Sequence, residues 1–102
     1  MARLLEAHPD LDAVFLASDL MASGALTYLS QRGVRVPQDL AVVGFDDLEI
    51  AETTQPPLTT VAQPVGEMAA RAGQMLADLL AGVPVPAEPT VFEARLVRRA
   101  SS

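Results

Sequence analysis

The sequence has 102 residues, half of them hydrophobic but only four aromatic, so it suits one small domain, at the lower end of comfortable core size, with a core of Val, Leu, Ala and Met. It carries a net charge of −6, its seven basic residues are all arginine, and only Arg98 and Arg99 are adjacent. That is a poor surface for phosphates, which excludes DNA binding by this chain alone. The lack of cysteine excludes a disulfide framework or thiolate metal site and fits a cytosolic setting, and no apolar stretch is long enough to span a bilayer.

In chain order, residues 1–10 lack the apolar core and cleavage site of a signal peptide. Arg3 to Ala7 reads as a short helix, closed by Pro9. Asp12 to Ala17 is a predicted strand. Asp19 to Arg32 follows as a helix whose apolar positions include Met21, Ala25, Tyr28 and Leu29, with Gly33 at the C-terminal cap. Leu40 to Val43 is a continuous apolar run, the mark of a strand buried on both faces. Leu48 to Thr53 has room for one or two helical turns before Pro56 and Pro57, and Leu58 to Ala62 is another strand. Strands alternating with helices predict an α/β fold, a mostly parallel sheet with flanking helices.

Val65 to Ala81 is the longest predicted helix. Val65, Met68, Ala69, Ala72, Leu76, Leu79 and Leu80 recur in steps of three and four and make one apolar face, opposite Glu67, Arg71, Gln74 and Asp78. Pro64 before it and Gly82 then Pro84 after it are boundary residues. Burying each large residue of that face is worth about 1.5–3 kcal/mol, so the face needs a cover, either its own sheet or a surface outside the chain. Val83 to Pro89 is a proline-stiffened connector.

Three predicted strands finish on polar residues: Ser18-Asp19, Phe45-Asp46-Asp47 and Gln63-Pro64. Ligands of open α/β sheets bind beyond the carboxyl ends of parallel strands. A hydroxyl, a carboxylate and an amide beside an aromatic ring suit a polyhydroxy ligand such as a sugar. Each residue also has a plainer role open to it. Asp46 could be a turn acid bonded to nearby backbone amides, Gln63 a hinge residue bonded to backbone, and Phe45 a core residue. Asp19 is placed where an acid complements the helix dipole, and Asp47 where a carboxylate caps the next helical turn. His8 has no nucleophile to pair with.

The strings Ala17-Ser-Asp-Leu-Met-Ala-Ser-Gly-Ala25, Gly33-Val-Arg-Val-Pro-Gln-Asp-Leu40, Val42-Val-Gly-Phe-Asp-Asp47 and Pro57-Leu-Thr-Thr-Val-Ala-Gln63 stand in an order and spacing that resembles the LacI/GalR family of bacterial transcriptional regulators. Leu96 to Arg99 is similar to that family's C-terminal strand. The resemblance runs from about Leu4 to Arg99 and implies the C-terminal part of an effector-binding region, a partial lobe of a type I periplasmic-binding-protein-like fold. It implies that residues 1–62 belong to one subdomain, that residues 63–87 form a hinge crossing and a helix packed on the other subdomain, and that residues 88–102 form a return strand and tail. Asp46 would then accept hydrogen bonds from effector hydroxyls, with Ser18, Gln63 and Phe45 as further effector contacts; Ser18 stands where the family often has Asn and reaches less far. Tyr28, Leu29, Leu48 and Ile50 would lie nearest a homodimer contact, the alternative being that Tyr28 and Leu29 merely cover the sheet. The implied setting is cytoplasmic, with DNA bound only through a domain this chain does not contain, and with no cofactor and no membrane partner.

Two other readings share the fold: a fragment of a periplasmic sugar-binding protein, and a truncated remnant without function. An enzyme is the rival class, because Asp46, Asp47, Glu49 and Glu52 could supply paired carboxylates or oxygen ligands for Mg²⁺. No His, Cys or Lys stands beside them, and there is no phosphate-binding glycine fingerprint, so no catalytic residue and no metal ligand is assigned.

Overall fold

The computed structural model describes residues 1–102, with the element order α1 (Ala2–Ala7), β1 (Ala13–Phe15), α2 (Asp19–Gln31), β2 (Ala41–Val43), α3 (Ile50–Thr53), β3 (Thr60–Ala62), α4 (Val65–Leu80) and β4 (Arg95–Val97). It divides into two units, Met1–Ala62 together with Arg95–Ser102, and Gln63–Ala94.

The first unit holds two two-stranded sheets, β1 with β2 and β3 with β4, linked by isolated bridges. β1 pairs with β2 in parallel, from Ala13 opposite Ala41 to Phe15 opposite Val43. β2 meets β3 through parallel bridges between Val43 and Thr59 and between Asp46 and Ala62, and β3 pairs with β4 antiparallel, Thr60 opposite Val97 and Ala62 opposite Arg95. The expected α/β lobe with a largely parallel sheet is therefore present, with its last strand reversed. The regular strands are shorter than the apolar runs that announced them. Between β2 and β3 the reason is visible: the buried Ser101 stands in for a ladder. Val42 donates its N–H to the Ser101 carbonyl at 2.8 Å, Thr59 N–H donates to Ser101 Oγ at 2.8 Å, and that hydroxyl donates to the Val42 carbonyl at 2.5 Å.

α2 covers the sheet. Its inward positions are Ala22, Ala25, Leu26 and Leu29, and Ala22, Leu26 and Leu29 close a core with Leu40, Val42, Ala51 and Leu58. The helix ends in a double cap, with Gly33 N–H on the Ser30 carbonyl and Val34 N–H on the Leu29 carbonyl. Gly33 sits at φ +71°, the left-handed conformation such a cap requires. The turn that follows is closed by Arg35, whose guanidinium and backbone N–H bind Asp39 and hold its carboxyl down to about 2.

The second unit is α4 and the segment after it. α4 ends as α2 does, Gly82 N–H on Leu79 and Val83 N–H on Asp78, but it buries none of its residues. Met68, Arg71, Ala72 and Met75 of α4 line an open depression of about 400 Å³ with Pro86–Thr90 and Phe92.

Candidate functional site

The carboxyl ends of β1 and β2 and the middle of β3 converge on one turn, Gly44 to Leu48. Its backbone is tied on both sides. Gly44 N–H donates to Thr59 and Asp46 N–H to Val61, each at 2.9 Å, while Asp19 N–H donates to the Phe45 carbonyl at 2.8 Å. Asp46 adopts φ +107° and Asp47 φ +56°. Positive φ in a residue other than glycine costs of order 1–3 kcal/mol, and persists only where surrounding bonds over-determine it. Such strain gathers at ligand sites.

Asp19 is the centre of that restraint. It is fully buried, accepts a hydrogen bond from the Thr60 hydroxyl at 2.5 Å on one oxygen and from the Leu48 N–H at 2.8 Å on the other. Gly44 is required by this packing. A Cβ there would stand 2.8 Å from Leu58 Cδ2 and would overlap Asp19 Oδ1. The sequence-based assignment of Asp19 to the helix dipole is thus incomplete: it lies in the first turn of α2, and its carboxylate also bonds two other elements.

The expected effector residues fall as follows. Asp46 and Phe45 lie side by side at the end of β2, both half-buried. Phe45 meets Phe15 edge-on, with ring centroids 6.3 Å apart and planes at 82°. Phe15, which the sequence did not single out, is 60% exposed and widens the aromatic surface. Ser18 is the N-cap of α2, its oxygen accepting from Met21 N–H at 3.3 Å. The cap uses a lone pair and leaves the O–H as a donor. Gln63 opens the second unit, its carbonyl accepting from Val65 N–H at 2.9 Å.

Asp47 is a structural carboxylate. Arg99 donates to it at 2.8 Å, to Glu52 at 3.4 Å and to the Leu58 carbonyl at 3.0 Å, joining the C-terminal segment to the turn and to α3. Two of the four carboxylates that could have formed a catalytic or metal cluster are engaged by this guanidinium. Thr60 and Arg99 are residues that sequence reasoning missed. A Thr in one predicted strand and an Arg at the end of another carry no local signal of a partner 41 or 52 residues away.

One interface assignment is corrected. Leu29 is fully buried in the core and cannot face a partner. It belongs to the inward stripe Ala22, Ala25, Leu26, Leu29, and the neighbouring Tyr28 lies off that stripe, half-buried, with the Arg32 guanidinium 4.9 Å from its ring centre. Leu48 is 42% exposed and Ile50 half-buried.

Comparison with known proteins agrees along the whole chain. The family model of the periplasmic binding protein-like domain matches residues 1–102. The chain is 45% identical over 101 residues to the HTH-type transcriptional regulator CelR of Thermobifida fusca, covering 99% of this chain and 30% of that protein. It is 37% identical over 102 residues to the HTH-type transcriptional repressor CytR of Escherichia coli K12, covering all of this chain and again 30% of the relative. Among solved structures, a transcriptional regulator CelR–cellobiose complex superposes with a TM-score of 0.91 at 44% identity, over 97% of this chain and 30% of that one. A LacI family transcriptional regulator from Arthrobacter sp. FB24 in complex with lactose gives a TM-score of 0.84 at 38% identity, over 99% of this chain and 39% of that one. The chain thus spans about 30% of the length of the curated relatives it matches. On a match that leaves no residue out, the chain belongs to the periplasmic-binding-protein-like domain family, in the form found in LacI-type transcriptional regulators.

Proposed function

We propose that this chain is the sugar-sensing part of a LacI-type regulator, and that the turn after β2 holds the effector through Asp46. The observation that carries the reading is the Asp46 backbone, held at φ +107° beyond the end of a parallel strand, next to Phe45 and on the side of the sheet where Ser18 caps α2. A half-buried carboxylate accepts from vicinal hydroxyls, and an aromatic pair packs the apolar face of a sugar ring. The relatives solved with cellobiose and with lactose support a saccharide as the effector class. Gln63 remains a proposed effector contact, as the amide beyond the third predicted strand and by the family resemblance. The chemistry is binding and not catalysis, and the reaction-free output is a change in DNA affinity made through a domain outside this chain, in the cytoplasm. An effector does this only by binding one arrangement of the regulator better than the other.

Calorimetric titration of the full-length regulator with cellobiose tests the site. Asp46→Ala removes a charged acceptor, so binding weakens by about 1.5–3 kcal/mol. Unchanged affinity in a folded variant takes Asp46 out of the pocket. The regulator is also proposed to be a homodimer, with Leu48 and Ile50 at the contact and Leu29 excluded from it. Leu48→Asp lowers the dimer fraction in sedimentation of the full-length protein, and a parent protein that is monomeric at micromolar concentration contradicts it.

A further inference from the structure

We propose that Asp19 and Thr60 are positioning residues for the effector carboxylate: neither touches the effector, and together they hold Asp46 in the backbone conformation that presents it. The inference rests on the effector-site reading of Asp46 and goes beyond it by naming what makes the site.

The geometry is a closed circuit within the first unit. Phe45, Asp46 and Asp47 are threaded between two fixed points. On the upstream side, Asp19 N–H binds the Phe45 carbonyl at 2.8 Å. On the downstream side, the same residue's Oδ2 takes the Leu48 N–H at 2.8 Å. One buried residue therefore grips the turn before and after Asp46. The Thr60 hydroxyl completes the arrangement in two ways. It donates to Asp19 Oδ1 at 2.5 Å, which fixes the rotation of the carboxylate, and its oxygen accepts the Asp47 N–H at 3.4 Å. The Asp46 N–H, meanwhile, is held by the Val61 carbonyl at 2.9 Å. Between such anchors the chain has too little slack to relax into extended backbone, so φ at Asp46 and Asp47 stays positive.

Both positioning groups are fully buried, so they are out of reach of a ligand at the surface. The absence of a side chain at Gly44 belongs to the same device, since a Cβ would displace the Asp19 carboxylate. A hydroxyl is needed at position 60 because only it can donate to Asp19 and accept from Asp47 at once. Valine, of the same shape, can do neither.

The test is read on the Asp46 backbone itself and needs no ligand. In the isotope-labelled 102-residue chain, the scalar couplings of Asp46 report the sign of φ, and hydrogen exchange at Leu48 reports the bond to Asp19. Thr60→Val is expected to move Asp46 out of positive φ and to speed Leu48 exchange about tenfold or more, while the amides of Leu29 and Val42 stay protected. Thr60→Ser is expected to restore both. Positive φ retained at Asp46 in Thr60→Val and in Asp19→Ala overturns the proposal. So does loss of Leu29 and Val42 protection together with Leu48 in both variants, which makes the pair a determinant of the whole fold and not of this turn; a parent chain without positive φ at Asp46 overturns it at once. In the full-length regulator titrated with cellobiose, Thr60→Val is expected to cost about tenfold in affinity in the parent and almost nothing in an Asp46→Ala background, because residues that act through one another are not additive. Equal losses in both backgrounds reject the positioning role. If Asp46→Ala alone leaves cellobiose binding intact, the effector-site reading fails while the backbone result stands or falls separately.

Discussion

α2 and α4 are the two long helices, 13 and 16 residues, and they treat their apolar faces in opposite ways. α2 buries Asp19, Ala22, Ala25, Leu26 and Leu29. α4, with the more regular apolar stripe of the two, buries nothing, and Leu80 on that stripe is 82% exposed. Periodicity therefore identifies which side of a helix is apolar but not what the side meets. α2 finds Leu40, Val42, Ala51 and Leu58, all within its own unit. The face of α4 meets no such cover, and we propose that in the intact regulator a surface outside these 102 residues supplies one.

The largest effect that sharpens this contrast comes from truncating one leucine in each helix. Leu29→Ala removes a fully buried side chain and is expected to lower the stability to urea by about 2–5 kcal/mol. Leu79→Ala removes one that is mostly exposed and is expected to change it by no more than about 0.5 kcal/mol. Comparable losses would mean that α4 is packed and that the contrast is false.

A smaller contrast uses two glycines. At Gly44 an added methyl meets the Leu58 side chain and the Asp19 carboxylate, both buried, so Gly44→Ala is expected to cost about 1–3 kcal/mol. At Gly73, inside α4, nothing lies within 4 Å of the added methyl, and Gly73→Ala is expected to stabilise by about 0.5–1 kcal/mol through helix propensity alone. Thermal unfolding of the two variants decides it, and destabilisation by Gly73→Ala would reveal a neighbour on that face.

Most of the fold is legible in the sequence because its signals are local. Pro64 and Gly33 mark helix boundaries, and the apolar run Leu40 to Val43 marks a buried strand. The turn from Phe45 to Asp47 is legible as a candidate site for the same reason. What the sequence conceals is long-range. Asp19 reads as a helix-dipole acid until Thr60 and Leu48 are brought to it, and Ser101 reads as tail until it joins Val42 to Thr59. The place of Leu29 is open in the sequence, because an apolar residue on an amphipathic helix fits a core and an interface equally well before the sheet beneath it is known.

Hydrogen exchange on the isolated chain tests the central contrast most directly. A helix without tertiary packing opens locally at little cost, whereas a helix closing the core opens only with the domain. The amides of Leu26 to Gln31 in α2 are therefore expected to exchange far more slowly than those of Gly73 to Leu80 in α4, and the α4 amides to gain protection in the full-length regulator. Equal protection of both helices in the isolated chain would contradict the account, since α4 would then belong to a self-sufficient domain.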